Sequence, residues 1–217
     1  MDPLYTSKLI AYAVQIVSII IVIYAFLQPL PTEHAPLKQS LGLETVVQII
    51  QIAVYTWLIT HFHLASMASI RYLDWILTTP LLLTAFVIYL NYEAKETSQT
   101  AKTFLQENKN DLYILLLANG FMLLFGFLGE LGYISKEFAT IIGCLALAIV
   151  LYIIYNKYAS KSRIGTTVFI PFAFIWSMYG VAYNFGEVNK NVMYNILDTL
   201  SKNVFGLFLS YKVLSIQ

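Results

Sequence analysis

Five ionisable side chains sit where the surrounding sequence is apolar enough to cross a membrane: Glu44, Arg71, Asp74, Asp198 and Lys202. A charge at mid-bilayer costs roughly 3 kcal/mol even on lenient insertion scales, so each is a functional candidate before it is a structural one. Their spacing sharpens this. Asp198 and Lys202 are i and i+4, and Arg71, Asp74 and Thr78 are i, i+3 and i+7, so each set shares one helix face. An ammonium flanked by two carboxylates has opposite charges to offset its burial. A buried lysine amine is also the group that condenses with an aldehyde to form a Schiff base. One cation between two anions, balanced by an arginine, suits a protonated imine; spacing and burial do not name the aldehyde. The bland alternative is a set of ion pairs that pin helices together.

A second polar set lies earlier in the chain. Glu44, Gln48, Gln51 and Tyr55 fall at i, i+4, i+7 and i+11, a single stripe on an otherwise apolar helix. An ion crossing a membrane must exchange its hydration for oxygen ligands, and such a stripe supplies them. Interhelical hydrogen bonding is the ordinary alternative for buried glutamines.

The elements that must position these residues follow from composition. Only 12% of the 217 residues are charged and 59% are hydrophobic, against about 25% charged in a soluble domain. Lipid is the solvent that tolerates such a surface. Aromatics at 15% suit interfacial belts and an aromatic pocket, and a net charge of +1 offers nucleic acid nothing. A spanning helix needs about 20 apolar residues. Seven segments qualify, approximately 8–30, 42–62, 66–91, 111–130, 134–157, 165–186 and 191–214. The expected fold is an all-α membrane protein of seven transmembrane helices, one domain over residues 1–217, with short polar joints. The clearest joint is 93–111, and Pro29, Pro31 and Pro36 punctuate the first. The first apolar stretch is too long for a signal-peptide core and lacks a small-residue cleavage site. With the N-terminus outside, Lys38, Lys95, Lys102, Lys109, Lys157, Lys161, Arg163 and Lys212 lie inside and only Lys8, Lys136 and Lys190 outside. That asymmetry favours N-terminus out. Cys144, the single cysteine, reads as a buried apolar residue.

The third span reads Arg71-Tyr72-Leu73-Asp74-Trp75-Ile76-Leu77-Thr78-Thr79-Pro80-Leu81-Leu82-Leu83, which closely resembles the signature of microbial rhodopsins. Leu197-Asp198-Thr199-Leu200-Ser201-Lys202-Asn203-Val204-Phe205-Gly206 looks like their retinal-lysine segment. Trp176-Ser177-Met178-Tyr179-Gly180 matches a sixth-span motif, except that Gly180 replaces the usual proline. The resemblance implies all-trans retinal bound as a protonated Schiff base to Lys202, with Asp74 and Asp198 as counterions. It places Arg71 outward of them and Thr78 near Asp74. It implies Trp75 and Trp176 about the polyene, with Tyr179, Tyr183, Met122 and Gly126 completing the pocket. Tyr183 stands where many relatives have tryptophan, and Leu82 occupies a colour-tuning position, where leucine resembles green-absorbing members. Thr79 and Asn119 match a hydrogen-bonded pair that sets photocycle speed.

Microbial rhodopsins include pumps, channels and sensors, so the fold does not settle the function. Position 85, eleven residues after Asp74 and the family's proton-donor position, is alanine, and before the seventh span only Glu187 offers an outer acid. Both count against an efficient outward proton pump. Asn203 after the lysine resembles algal channelrhodopsins, where that asparagine belongs to a central gate, and Asn195 extends the polar wall. The compact chain resembles the viral rhodopsins of group 1, associated with light-gated cation conduction. Gln51 departs from algal channels in standing where a glutamate is usual. The expected function is a light-gated cation channel, with Glu44 as inner constriction and Gln51 with Asn203 as gate. A weak outward proton pump is the alternative, and a photosensor the third reading. An enzyme is not expected. The expected partners are membrane lipid and monovalent cations or protons. A homo-oligomer is admitted because relatives assemble as dimers, trimers or pentamers. His61 and His63 read as ordinary surface at the outer end of the second span.

Overall fold

The computed structural model describes residues 2–61, 64–94 and 101–216. Its helices are α1 (Pro3–Leu27), α2 (Ala35–Thr60), α3 (Leu64–Glu93), the short α4 (Ala101–Glu107), α5 (Lys109–Glu130), α6 (Lys136–Lys157), α7 (Arg163–Tyr183), α8 (Glu187–Asp198) and α9 (Phe205–Leu214). A π-helical turn, Thr199–Val204, joins α8 to α9 into one rod. At 1.5 Å per residue this rod is about 42 Å long, enough to cross a hydrocarbon core. Six other helical segments are long and apolar enough to do the same. The seven pack as a closed bundle: α1 on α2 and on the α8–α9 rod, then α2 on α3, α3 on α5, α5 on α6, α6 on α7 and α7 on α8.

Local sequence sets the helix ends. The Asp2 carboxylate accepts from the Leu4 amide at 3.0 Å ahead of Pro3. Ser135 and Ser162 do the same for α6 and α7, meeting backbone donors that a helix start leaves bare. Pro36, expected in a loop, instead sits in the first turn of α2, where its missing N–H costs nothing. That helix therefore begins seven residues before the expected start at 42. The 93–111 joint likewise contains α4, because Phe104 is buried against Tyr158 and gives a polar stretch an apolar anchor.

The outward faces carry the apolar surface that the composition requires. On α3, Leu73, Ile76 and Leu77 are exposed while Asp74, Trp75 and Thr78 are buried. On α1 the buried stripe is Leu4, Lys8, Ala11, Gln15, Ser18, Val22 and Ala25. Toward the end remote from the N-terminus the interior is apolar, built from Leu37, Leu41, Leu82, Leu83, Phe86 and Leu209. This is an integral, multi-pass membrane protein.

Candidate functional site

Among the described residues three lysines are buried, Lys8, Lys190 and Lys202, two of which the sequence places on the outer side. Only Lys202 lines the apolar cavity between α3, α5, α6, α7 and the seventh rod. Trp75, Thr79, Met122, Gly126, Trp176, Tyr179 and Tyr183 all line the same cavity, as does Leu82. The sequence passes over Tyr72, Tyr194 and Ser201, which also face it. Gly126 is needed there: a Cβ would collide with the Tyr72 hydroxyl. Cys144 is not buried as expected; it is exposed and lines the cavity, where Gly180 has no side chain to cover it. An aromatic, mostly apolar chamber with one amine in its wall fits a long polyene aldehyde. The unpartnered indole nitrogen of Trp176 and Oδ1 of Asp74 are the orphaned polar atoms around it.

The π turn presents Lys202 to two aspartates in unequal settings. Lys202 Nζ lies 2.6 Å from Asp74 Oδ2 and 3.8 Å from Asp198 Oδ1. Asp198 is the hub. Its Oδ1 accepts from Trp75 Nε1 at 3.1 Å and Tyr179 Oη at 2.9 Å, and its Oδ2 from Tyr55 Oη at 3.0 Å and Arg71 at 3.0 Å. Asp74 has the lysine on one oxygen and nothing on the other. Thr78 donates to the Asp74 backbone carbonyl at 2.9 Å, so it fixes the helix near that carboxylate without hydrogen-bonding it. Arg71 reaches Asn191 at 3.1 Å and is also held by Asn195. Asn119 Nδ2 donates to Thr79 Oγ1 at 2.8 Å, joining α5 to α3.

A π turn leaves carbonyls out of register, and the polar side chains of α1 and α2 meet them. Gln48 Nε2 donates to Lys202 O and Gln51 Nε2 to Asp198 O, both at 3.5 Å; Ser18 Oγ donates to Gln48 Oε1 at 2.9 Å. Gly206 makes this approach feasible, since a Cβ there would overlap Gln48 Nε2 and lie 3.2 Å from Glu44 Cγ. Glu44, Gln48, Gln51 and Tyr55 are all buried on one side of α2, facing α1 and the seventh rod. Gln51 and Asn203 do not pair here: the Asn203 amide has no hydrogen-bond partner. Tyr55 and Asn195 meet at 3.2 Å.

Among the described residues, seven buried side-chain polar atoms without a hydrogen-bond partner belong to Gln15, Glu44, Gln51 and Asn203 of this seam. Buried polar atoms are ordinarily satisfied by protein or by ordered water. The seam between α1, α2 and the seventh rod is therefore a place for water. The α1 contribution, Lys8, Gln15 and Ser18, was legible in principle as polar residues at 8, 15 and 18, one face of the first span. Elsewhere, Glu130 joins Glu187 around Lys190, with all three contacts at 2.7 Å, so the second outer acid comes from α5. His61 stacks on Trp57; His63 lies outside the described residues.

Residues 5–216 match the bacteriorhodopsin-like protein family. The green-light absorbing proteorhodopsin of Gamma-proteobacterium EBAC31A08 is 31% identical over 159 residues, covering 64% of this chain and 58% of that protein. The opsin-like protein carO of Fusarium fujikuroi is 28% identical over 155 residues, 64% of this chain and 46% of that one. The chain thus spans less than two thirds of the length of these relatives. Among solved structures, viral rhodopsin OLPVRII superposes with a TM-score of 0.88 at 25% identity over all of both chains. A blue light-absorbing proteorhodopsin from Med12 does so at 0.76 and 21%, covering 99% of this chain and 98% of that one, a likeness of fold. A family match that runs almost from end to end, over a bundle closed around a lysine-bearing chamber, makes this chain a member of the bacteriorhodopsin-like microbial rhodopsins, which bind retinal through a Schiff base to a lysine.

Proposed function

We propose that residues 1–217 form a single retinal-binding unit that acts as a light-gated cation channel, with the N-terminus outside. Lys202 is the retinal lysine, since it alone of the buried lysines lines the aromatic chamber. Retinal bound there supplies light absorption and a change of shape. The protein's own residues convert that change into conduction. Asp198, held by four donors, stays fixed, whereas Asp74, with one oxygen free, accepts the proton. Loss of the 2.6 Å pair releases the π turn, whose links to Gln48 and Gln51 are already long at 3.5 Å. Water and monovalent cations then occupy the seam, with Gln51 and Asn203 as its gate and Glu44 as its inner constriction.

The observation that carries this reading is the concentration of unpartnered polar atoms along α1, α2 and the seventh rod. The other route inward is mostly apolar around Ala85, with Tyr89 and Glu93 further along α3. Ala85 lies among Leu82, Leu83, Phe86 and Val87, Phe86 stacks on Phe172 at 4.1 Å, and Ser40 takes the Ala85 carbonyl. A light-driven outward proton pump is the second reading. Asp74 beside Lys202, and Glu130 with Glu187 at the outer end, favour it. Light-induced current against voltage separates the two. A channel reverses sign with the driving force, and Glu44→Gln reduces its current severalfold while the pigment keeps its colour. Outward current that persists at zero driving force, unchanged by Glu44→Gln, overturns the channel reading.

A further inference from the structure

The chamber wall is thin in one place. Among the described residues that line it, Cys144 alone is also exposed on the outside of the bundle. Around it, Thr140 and Gly143 of α6 and Gly180 of α7 are half-buried and line the chamber too. The glycines leave room there: a Cβ on Gly143 would meet open space, and one on Gly180 would meet the Cys144 Sγ at 3.7 Å. The surface beside them is Ile141, Leu145, Ile170 and Phe174, all exposed and apolar, so this face looks into lipid. α7 is the least buried of the apolar spans, and Pro171 in its interior removes one backbone hydrogen bond. The two helices are tied at one end by Thr140 to Asn184 at 3.3 Å and at the other by Tyr155 against Phe169 at 5.3 Å. Cys144 over Gly180 lies between these ties. The ends of the chamber, by contrast, are shut. Phe86 stacks on Phe172 at 4.1 Å and Phe172 packs on Trp176 at 5.0 Å on the inner side. On the outer side the Tyr183 hydroxyl donates to the Gly126 carbonyl at 3.2 Å, joining α7 to α5.

We propose that the gap between α6 and α7 at Gly143, Cys144 and Gly180 is the door through which retinal enters the chamber sideways from the lipid. This rests on Lys202 as the retinal lysine and holds for a channel and a pump alike. The physical reason is solubility. A long polyene aldehyde leaves water for hydrocarbon, so it meets the protein at its lipid face, where one thiol and two glycines form the barrier. Entry from either end of the chamber requires parting the Phe86–Phe172–Trp176 stack or the Tyr183 link instead. Trp176 stands one turn from Gly180, buried and with its indole N–H unpartnered. A buried donor without a partner costs free energy, and an aldehyde oxygen passing inward is an acceptor for it.

The test uses the retinal-free full chain carrying Gly180→Cys, in phosphatidylcholine vesicles. Cys144 is the single cysteine of the chain, and its Sγ lies 3.7 Å from the Cβ position at 180. Diamide can therefore join the two thiols across the gap, taking up two electrons and two protons, and dithiothreitol can part them; mass spectrometry confirms the bridge. Retinal is then added to the vesicles. Quenching of tryptophan fluorescence reports its arrival beside Trp75 and Trp176, and the visible band reports its bond to Lys202. The bridged chain should show both events about tenfold more slowly than the reduced one, recover its rate with dithiothreitol, and reach the same final absorbance. Diamide should leave the rates of the unmodified chain unchanged. A bridge made after loading should leave the band in place. Should it bleach the band, Gly143→Leu, which fills the gap without a crosslink, takes over with the same expected slowing. Unchanged rates in a confirmed bridged chain, or in coloured Gly143→Leu, overturn the door. Slowed colour with unchanged quenching overturns it too, because the bridge then acts on bond formation and not on entry. A Lys202→Ala chain that still colours removes the retinal-lysine reading instead, and the proposal with it.

Discussion

The unequal coordination of the two aspartates predicts that the more distant one matters more to stability. Asp74 is 1.2 Å closer to Lys202, at 2.6 Å against 3.8 Å, so a purely pairwise view makes Asp74→Asn the more damaging change. The hydrogen bonds argue the reverse. Asp198 anchors Arg71, Tyr55, Trp75 and Tyr179, drawn from α2, α3 and α7. Asp198→Asn removes the charge that compensates buried Arg71, and breaking one partner of a buried pair costs about 3–5 kcal/mol. Asp74→Asn removes one charge-assisted hydrogen bond, about 1.5–3 kcal/mol, and leaves Asp198 to face the lysine. For a chain of this size each kcal/mol moves the midpoint by roughly 2–4 °C. Thermal bleaching of the visible band should therefore fall by roughly 6–20 °C in Asp198→Asn and by about half as much in Asp74→Asn. Infrared difference spectra under illumination should show a protonated carboxyl band that vanishes in Asp74→Asn and survives in Asp198→Asn. An Asp74→Asn midpoint equal to or below that of Asp198→Asn would refute the hub reasoning. A band lost only in Asp198→Asn would reassign the proton acceptor.

Three further outcomes follow from particular contacts. Lys202→Ala should yield no visible pigment with added retinal, whereas Lys190→Met, altering an equally buried lysine outside the chamber, should remain coloured; absorption spectra decide it. Gly206→Ala places a Cβ against Gln48 and Glu44, and overpacking of this kind costs roughly 1–3 kcal/mol. The expected result is a lower bleaching temperature and a leak in the dark as Gln48 leaves the Lys202 carbonyl. Phe104→Ala empties an apolar anchor of α4, a change worth about 3–5 kcal/mol in a packed core, and should expose the residues around 101–107 to proteolysis while the absorption maximum stays put.

Much of this protein is written in its sequence because the bilayer enforces simple rules. A spanning helix must be apolar for about 20 residues, so the seven segments, and the ionisable intruders within them, stand out without a structure. Regular helical spacing likewise put Asp198 with Lys202 and Glu44 with Gln48, Gln51 and Tyr55 on common faces. Contact between helices was another matter. Spacing along one helix says nothing of which face of α1 meets which face of α2, so Lys8, Gln15 and Ser18 escaped notice, and Lys8 and Lys190 were placed only on the outer side. The π turn around Lys202 has no local signature, and the side chains that meet its carbonyls, Gln48 and Gln51, come from another helix. Ranking Asp198 as the hub required counting donors from three other helices. Identity and depth were fixed by one-dimensional pattern, because lipid filters composition position by position. Partnership, hydration and the division of labour between two like carboxylates were decided only when the bundle closed.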